Sequence, residues 1–116
     1  VSEQGRRAVP FVPAVVLVLE GRVPAGGQAA LEEFLAEASR YYEEPGGIRV
    51  RLHWDRGDAC RFREIIEYES MQGFEADDER TRSDNRMREY LARWRRLLDG
   101  DSSVTVWNPV EFGLNV

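Results

Sequence analysis

The chain has 116 residues, 42% of them apolar and 32% charged, with a net charge of −5, and all sixteen of its basic residues are arginine. That length suits one domain with a core of useful size, and the acidic balance argues against nonspecific nucleic-acid binding, which needs a basic surface to neutralise phosphates. The longest apolar stretch, 14–19, is too short to span a bilayer, no secretory signal is expected, and the lone Cys60 cannot form an internal disulfide, so the expected compartment is the reducing cytoplasm.

Residues 1–13 read as an N-terminal tail, because the first ten are unpatterned and Pro10 and Pro13 bracket Phe11 and Val12. Residues 14–116 read as the single folded domain. Val15, Val16, Leu17, Val18 and Leu19 form a continuous apolar run, the pattern of a central strand covered on both faces, ending near Val23. Pro24, Ala25, Gly26 and Gly27 then turn the chain into a helix. Leu31, Phe34, Leu35, Ala38 and Tyr42 recur at spacings of three and four, which gives one buried helical stripe. Pro45, Gly46 and Gly47 stop that helix.

Ile48, Val50, Leu52 and Trp54 alternate with Arg49, Arg51, His53 and Asp55, as a half-buried strand requires. Arg56, Gly57, Asp58 and Ala59 supply a turn into a second strand carrying Phe62, Ile66 and Tyr68. Pairing Trp54 with Phe62 sets Val50 against Ile66, Ile48 against Tyr68 and Arg49 against Glu67. That register puts apolar beside apolar and charge beside countercharge. It also leaves Glu64 on the apolar face, opposite Leu52.

Ser70 can cap a short helix running to Glu79, and Asp84 can cap a longer one whose Met87, Tyr90, Leu91, Trp94, Leu97 and Leu98 form a second stripe. After Asp99 and Gly100, a last strand takes Val104 and Val106, with Val110 as an optional extension. The order β-α-β-β-α-β predicts an α+β, ferredoxin-like domain with an antiparallel sheet.

Three segments carry a family likeness: the helix end Glu44-Pro45-Gly46-Gly47, the Phe62 to Tyr68 strand running into Ser70-Met71-Gln72-Gly73-Phe74, and the helix from Met87 to Leu98 followed by Val104-Thr105-Val106-Trp107. With them the chain resembles the antibiotic biosynthesis monooxygenase-like group of dimeric α+β barrel proteins. The resemblance implies a homodimer whose two sheets face each other, with a small-molecule pocket between each sheet and its helices. Its members include cofactor-independent oxygenases of aromatic polyketides and haem-degrading enzymes, alongside proteins with no assigned activity. Two departures stand out. Members often carry a histidine four residues beyond the small residue of the short helix, where this chain has Asp77 after Gly73. They often carry a glutamate two residues before the aromatic of the third strand, where this chain has Ile66 before Tyr68.

Among the candidate residues, His53 is the one histidine and so the one side chain whose unperturbed pKa lies near neutrality. It reads either as a proton acceptor or as a partly exposed strand histidine at a dimer interface. Glu64, on an apolar face, must either pair with an arginine or hold its proton more tightly, which is how a general acid or base is made. Arg51 and Arg63, with Arg49 and Arg61, either bind an anion or pair with Glu67 and Asp55 across the hairpin. Trp54, Tyr68, Phe74 and Trp94 are core aromatics that could also wall a flat ligand.

No zinc spacing, phosphate loop or nucleophile elbow is present, and His53 is the one imidazole available to a haem. The alternation of aromatic residues with glutamates from Phe62 to Tyr68 does not suit RNA stacking. The expectation is therefore a small-molecule-binding protein resembling cofactor-independent monooxygenases of aromatic or quinol-type substrates, with no cofactor, no metal and no membrane partner. Glu64 or His53 would serve as base, Arg51 or Arg63 as anion stabiliser, and the aromatic residues as walls. The alternative is a non-catalytic homodimeric ligand-binding or scaffold protein of the same fold.

Overall fold

Strand alternation, two amphipathic stripes and glycine stops assemble seven elements in the structure, a computed structural model that describes residues 10–112. They are β1 (Val15–Arg22), α1 (Gln28–Glu43), β2 (Ile48–Asp55), β3 (Asp58–Tyr68), α2 (Met71–Ser83), α3 (Asn85–Arg96) and β4 (Ser103–Trp107). The strands form one antiparallel four-stranded sheet in the order β2-β3-β1-β4, the ferredoxin-like arrangement. The segment 1–9 of the expected tail lies outside the described residues. Phe11 is not loose, because the Arg49 guanidinium stacks 4.4 Å above its ring.

The hairpin has the register that its sequence favours. Trp54 faces Phe62, Val50 faces Ile66, Ile48 faces Tyr68, and Arg49 faces Glu67 with a 2.7 Å ion pair between them. On the other side of β3, β1 sets Val15 against Tyr68, Leu17 against Ile66 and Leu19 against Glu64. Period two therefore sorts the sheet into two faces. The inner face, toward the helices, carries Val15, Leu17, Leu19, Phe62, Glu64, Ile66 and Tyr68. The outer face carries Val16, Val18, Arg51, His53, Arg63, Ile65 and Glu67. Gly21 sits opposite Phe62, where a Cβ would lie 3.2 Å from the ring, so the ring packs directly over the glycine and would have to shift by a few tenths of an ångström for a larger residue.

The α1 stripe packs as its spacing requires, with Leu31, Phe34, Leu35, Ala38 and Tyr42 all buried. Gly46 and Gly47, both at positive φ, then reverse the chain into β2. The Ser70 hydroxyl accepts from the Gly73 N–H and starts α2, while the Asp84 carboxylate accepts from the N–H groups of Arg86 and Met87 and starts α3.

Several boundaries differ from expectation: β3 already begins at Asp58, inside the expected turn, and α3 ends at Arg96, so Leu97 and Leu98 of its expected stripe follow the helix. Helix α2 runs four residues past Glu79, because Arg82 pairs with Asp78 and Glu79 along its exposed side and carries the helix to Ser83. Strand β4 stops at Trp107, since β1 offers partners only from Glu20 to Val16, and Val110 lies outside the strand and exposed.

Candidate functional site

Helices α2 and α3 cover the middle of the inner sheet face and leave its β4 side open. A cavity of about 370 Å³ results. Its floor is Leu17, Leu19, Glu64, Ile66 and Tyr68 from β1 and β3. Its roof is Phe74, Asp77 and Thr81 from α2 with Met87, Leu91 and Trp94 from α3, and Val104 and Val106 of β4 flank its mouth. Phe74 meets Tyr68 edge to face at 5.3 Å, and Trp94 meets Phe62 at 6.2 Å and 89°. These contacts fix the aromatic walls.

Glu64 is the charged residue of the buried core, with 2% of its surface exposed. Its strand neighbours are Leu19 on β1 and Leu52 on β2, so no cation approaches it across the sheet. Burial pushes the Glu64 carboxyl up to about 7, and the adjacent Trp94 indole N–H, second to burial, acts in the opposite direction. The geometry of that pair falls short of a hydrogen bond. Glu64 Oε1 and Trp94 Nε1 are both buried with no hydrogen-bond partner among the described residues. The arginine pairing considered for Glu64 from sequence is not found among them.

Asp77 occupies the roof in a different state. Its Oδ2 accepts from the Tyr68 hydroxyl at 2.5 Å, and its Oδ1 accepts from Arg80 at 3.1 Å. Arg80 in turn donates to the carbonyls of Tyr41 and Tyr42 at the end of α1. Burial, followed by Asp77, raises the pKa of the Tyr68 phenol far above its usual range, so this hydroxyl keeps its proton. Asp77 is thus engaged on both sides, and its carboxylate orients Tyr68.

The residues singled out from sequence divide between two places. Glu64, Tyr68, Phe74 and Trp94 share the cavity. His53 and Arg63 lie on the outer face, where their Cα positions pair, and with Trp54, Glu20, Asp55 and Arg61 they line a second pocket of about 310 Å³. Arg51, exposed on that same face, stands 3.6 Å from Glu67. Trp54 is on the inner face but beyond the cavity, against Phe62, with its indole N–H donating to Glu32 of α1. Glu64 and His53 therefore cannot meet one substrate within a single chain, and neither Arg51 nor Arg63 reaches the Glu64 cavity. Sequence reading missed Thr81 and took Leu91 only as part of a core stripe. The spacing Phe74, Asp77, Thr81 is a helical stripe and carried the signal for the α2 wall. Among the described residues no cluster of His, Cys, Asp and Glu could hold a metal.

No family model and no curated protein matches the chain by sequence. Solved structures do match by shape. A monooxygenase from the ActVA-Orf6 gene of Streptomyces coelicolor, in complex with nanaomycin D, superposes with a TM-score of 0.72 over 90% of this chain and 94% of its own, at 19% identity. SnoaB, a cofactor-independent oxygenase from Streptomyces nogalater, gives 0.70 over 88% and 97%, at 16% identity. A Deinococcus radiodurans protein that bears the antibiotic biosynthesis monooxygenase name provisionally gives 0.67 over 88% and 97%, at 13% identity. The fold is that of the antibiotic biosynthesis monooxygenases. Within this monooxygenase fold, the cavity described above lies between the sheet and its helices, where the resemblance read from sequence implies a small-molecule pocket.

Proposed function

We propose that the protein binds a small aromatic or quinol-type molecule in the Glu64 cavity and oxidises it as a cofactor-independent monooxygenase. One observation carries this assignment: a buried, unpartnered carboxyl on the wall of a largely apolar cavity. With its pKa raised to about 7, Glu64 is partly ionised at neutral pH and can take a proton from a ligand hydroxyl. The phenolate left behind spreads its charge into the ring, and a ring carbon then transfers electrons to molecular oxygen. The step balances without any further reagent. The phenol and O₂ give a quinone and water, the ring losing two hydrogens and retaining one oxygen atom. Tyr68, Phe74 and Trp94 supply the walls for the flat ring. The neighbours support this chemistry, since one is named a cofactor-independent oxygenase and another holds nanaomycin D.

A second function, ligand binding without turnover, is favoured by Asp77. This acid stands where members of the group often carry a histidine, and it is committed to Tyr68 and Arg80 rather than free to carry protons. Oxygen uptake by the purified protein with a panel of naphthols and quinols, and no added flavin, metal or haem, decides between the two. Turnover above the protein-free rate, lowered about 10²–10⁴-fold in Glu64→Gln, is expected of the enzyme. Binding without oxygen uptake assigns the binder.

We also propose a cytoplasmic homodimer. On the outer face Trp107 of β4 is 58% exposed beside Val16, and with Val18 and Ile65 it gives that face more apolar surface than one chain covers. Cys60 is a free thiol, in keeping with a reducing compartment. No helix of the described residues is long and apolar enough to cross a membrane.

A further inference from the structure

Glu64 is one half of what is left unpaired beside the cavity. The Trp94 indole N–H is the other half. Both atoms belong to residues that line the same cavity, and they are of opposite type. An indole nitrogen only donates, and an ionised carboxylate only accepts. A hydroxyl satisfies the two together, donating its hydrogen to Glu64 while its oxygen accepts from Trp94. A carboxylate brings like charge to Glu64, and a hydrocarbon leaves both atoms unpaired. The indole is also held in place. Trp94 packs edge-on against Phe62, and Phe62 against Trp54, whose own N–H is tied to Glu32 at 2.8 Å.

We infer that the Trp94 Nε1–H donates to the ligand oxygen opposite Glu64, so that the site selects an un-ionised aromatic hydroxyl and then holds the oxyanion. The inference deepens the proposed function and rests on it. When Glu64 acts, the ligand O–H bond breaks and its proton joins the carboxylate. The electron pair stays on the ligand oxygen, and the indole keeps its hydrogen and stabilises that oxygen through the hydrogen bond. A donor already aimed where charge develops is the usual means of stabilising such a species.

The test uses the ¹⁵N-labelled protein, with 1-naphthol and naphthalene as paired probes. The Trp94 indole proton resonance should move downfield on adding 1-naphthol and not on adding naphthalene. The indole protons of Trp54 and Trp107 serve as internal controls, because they are bonded to Glu32 and Thr105. Trp94→Phe, which keeps an aromatic ring and removes the donor, should weaken 1-naphthol binding about tenfold and leave naphthalene within about twofold. The wild-type spectrum stands even if the variant folds poorly. Naphthol binding with no Trp94 response overturns this inference alone and leaves the cavity assignment intact. So does an indole resonance that follows Glu64→Gln and ignores naphthol, which would mean that the two groups close on each other. Failure of both probes to bind overturns the cavity assignment and this inference together.

Discussion

Glu64 is costly where it stands, and its cost depends on pH. In the unfolded chain the carboxyl ionises near 4.5, whereas in the folded protein burial raises that point to about 7. The folded state therefore holds the proton more tightly. The stability that this contributes is fully present below about pH 4.5 and is lost as the pH rises through about 7, a swing of about 3 kcal/mol. Chemical denaturation of the wild type and Glu64→Gln across pH 5–8 isolates the effect. The wild type should lose stability relative to the variant as pH rises, and a constant difference would contradict the buried, unpartnered state. Asp77, unlike Glu64, has partners on both of its oxygens. Asp77→Ala strands the half-buried Arg80 charge and the Tyr68 hydroxyl, at about 3–5 kcal/mol, whereas Tyr68→Phe removes one hydrogen bond at about 1 kcal/mol. Equal denaturation midpoints for these two variants would show that Arg80 does not depend on Asp77. Glu64 could be found in the sequence because an acid on an apolar strand face breaks the alternation. The Asp77 network could not, because it joins β3, α2 and the end of α1.

At the scale of elements, the hairpin register was legible because a slip of one residue would turn Ile48, Val50 and Leu52 outward. The same register places Glu64 and His53 on opposite faces, so odd and even positions alone separate the two candidate bases. The stripes of α1 and α3 were legible for the same reason at a period of 3.6, and both α2 and α3 start at the caps expected of them. The end of α2 was less legible, since it rests on exposed arginine pairs that leave no apolar signature. Phasing of α3 makes a sharp prediction. Trp94→Ala removes a buried aromatic and should cost about 3–5 kcal/mol, while Arg95→Ala, at the exposed next position, should change stability by less than about 0.5 kcal/mol. Urea denaturation of both variants is the check, and similar midpoints would put the wrong face of the helix inward.

At the scale of the whole molecule, the sequence carried the architecture but not the cavity. The gap exists because α2 and α3 stop short of β4, leaving Val104 and Val106 exposed at its mouth, and no local pattern encodes where two helices fail to cover a sheet. The proposed assembly rests on the other face of the sheet, where Trp107 is exposed beside Val16. Sedimentation at micromolar concentration should give a dimer, and a stable monomer of 13.3 kDa would contradict it. The cavity itself is tested most directly by a crystal structure of the protein with 1-naphthol bound. The ring should lie between Tyr68, Phe74 and Trp94, with its oxygen within about 3 Å of both Glu64 and the Trp94 indole nitrogen. Naphthol seated instead on the outer face against His53 and Arg63, with the Glu64 cavity closed over, would contradict the account.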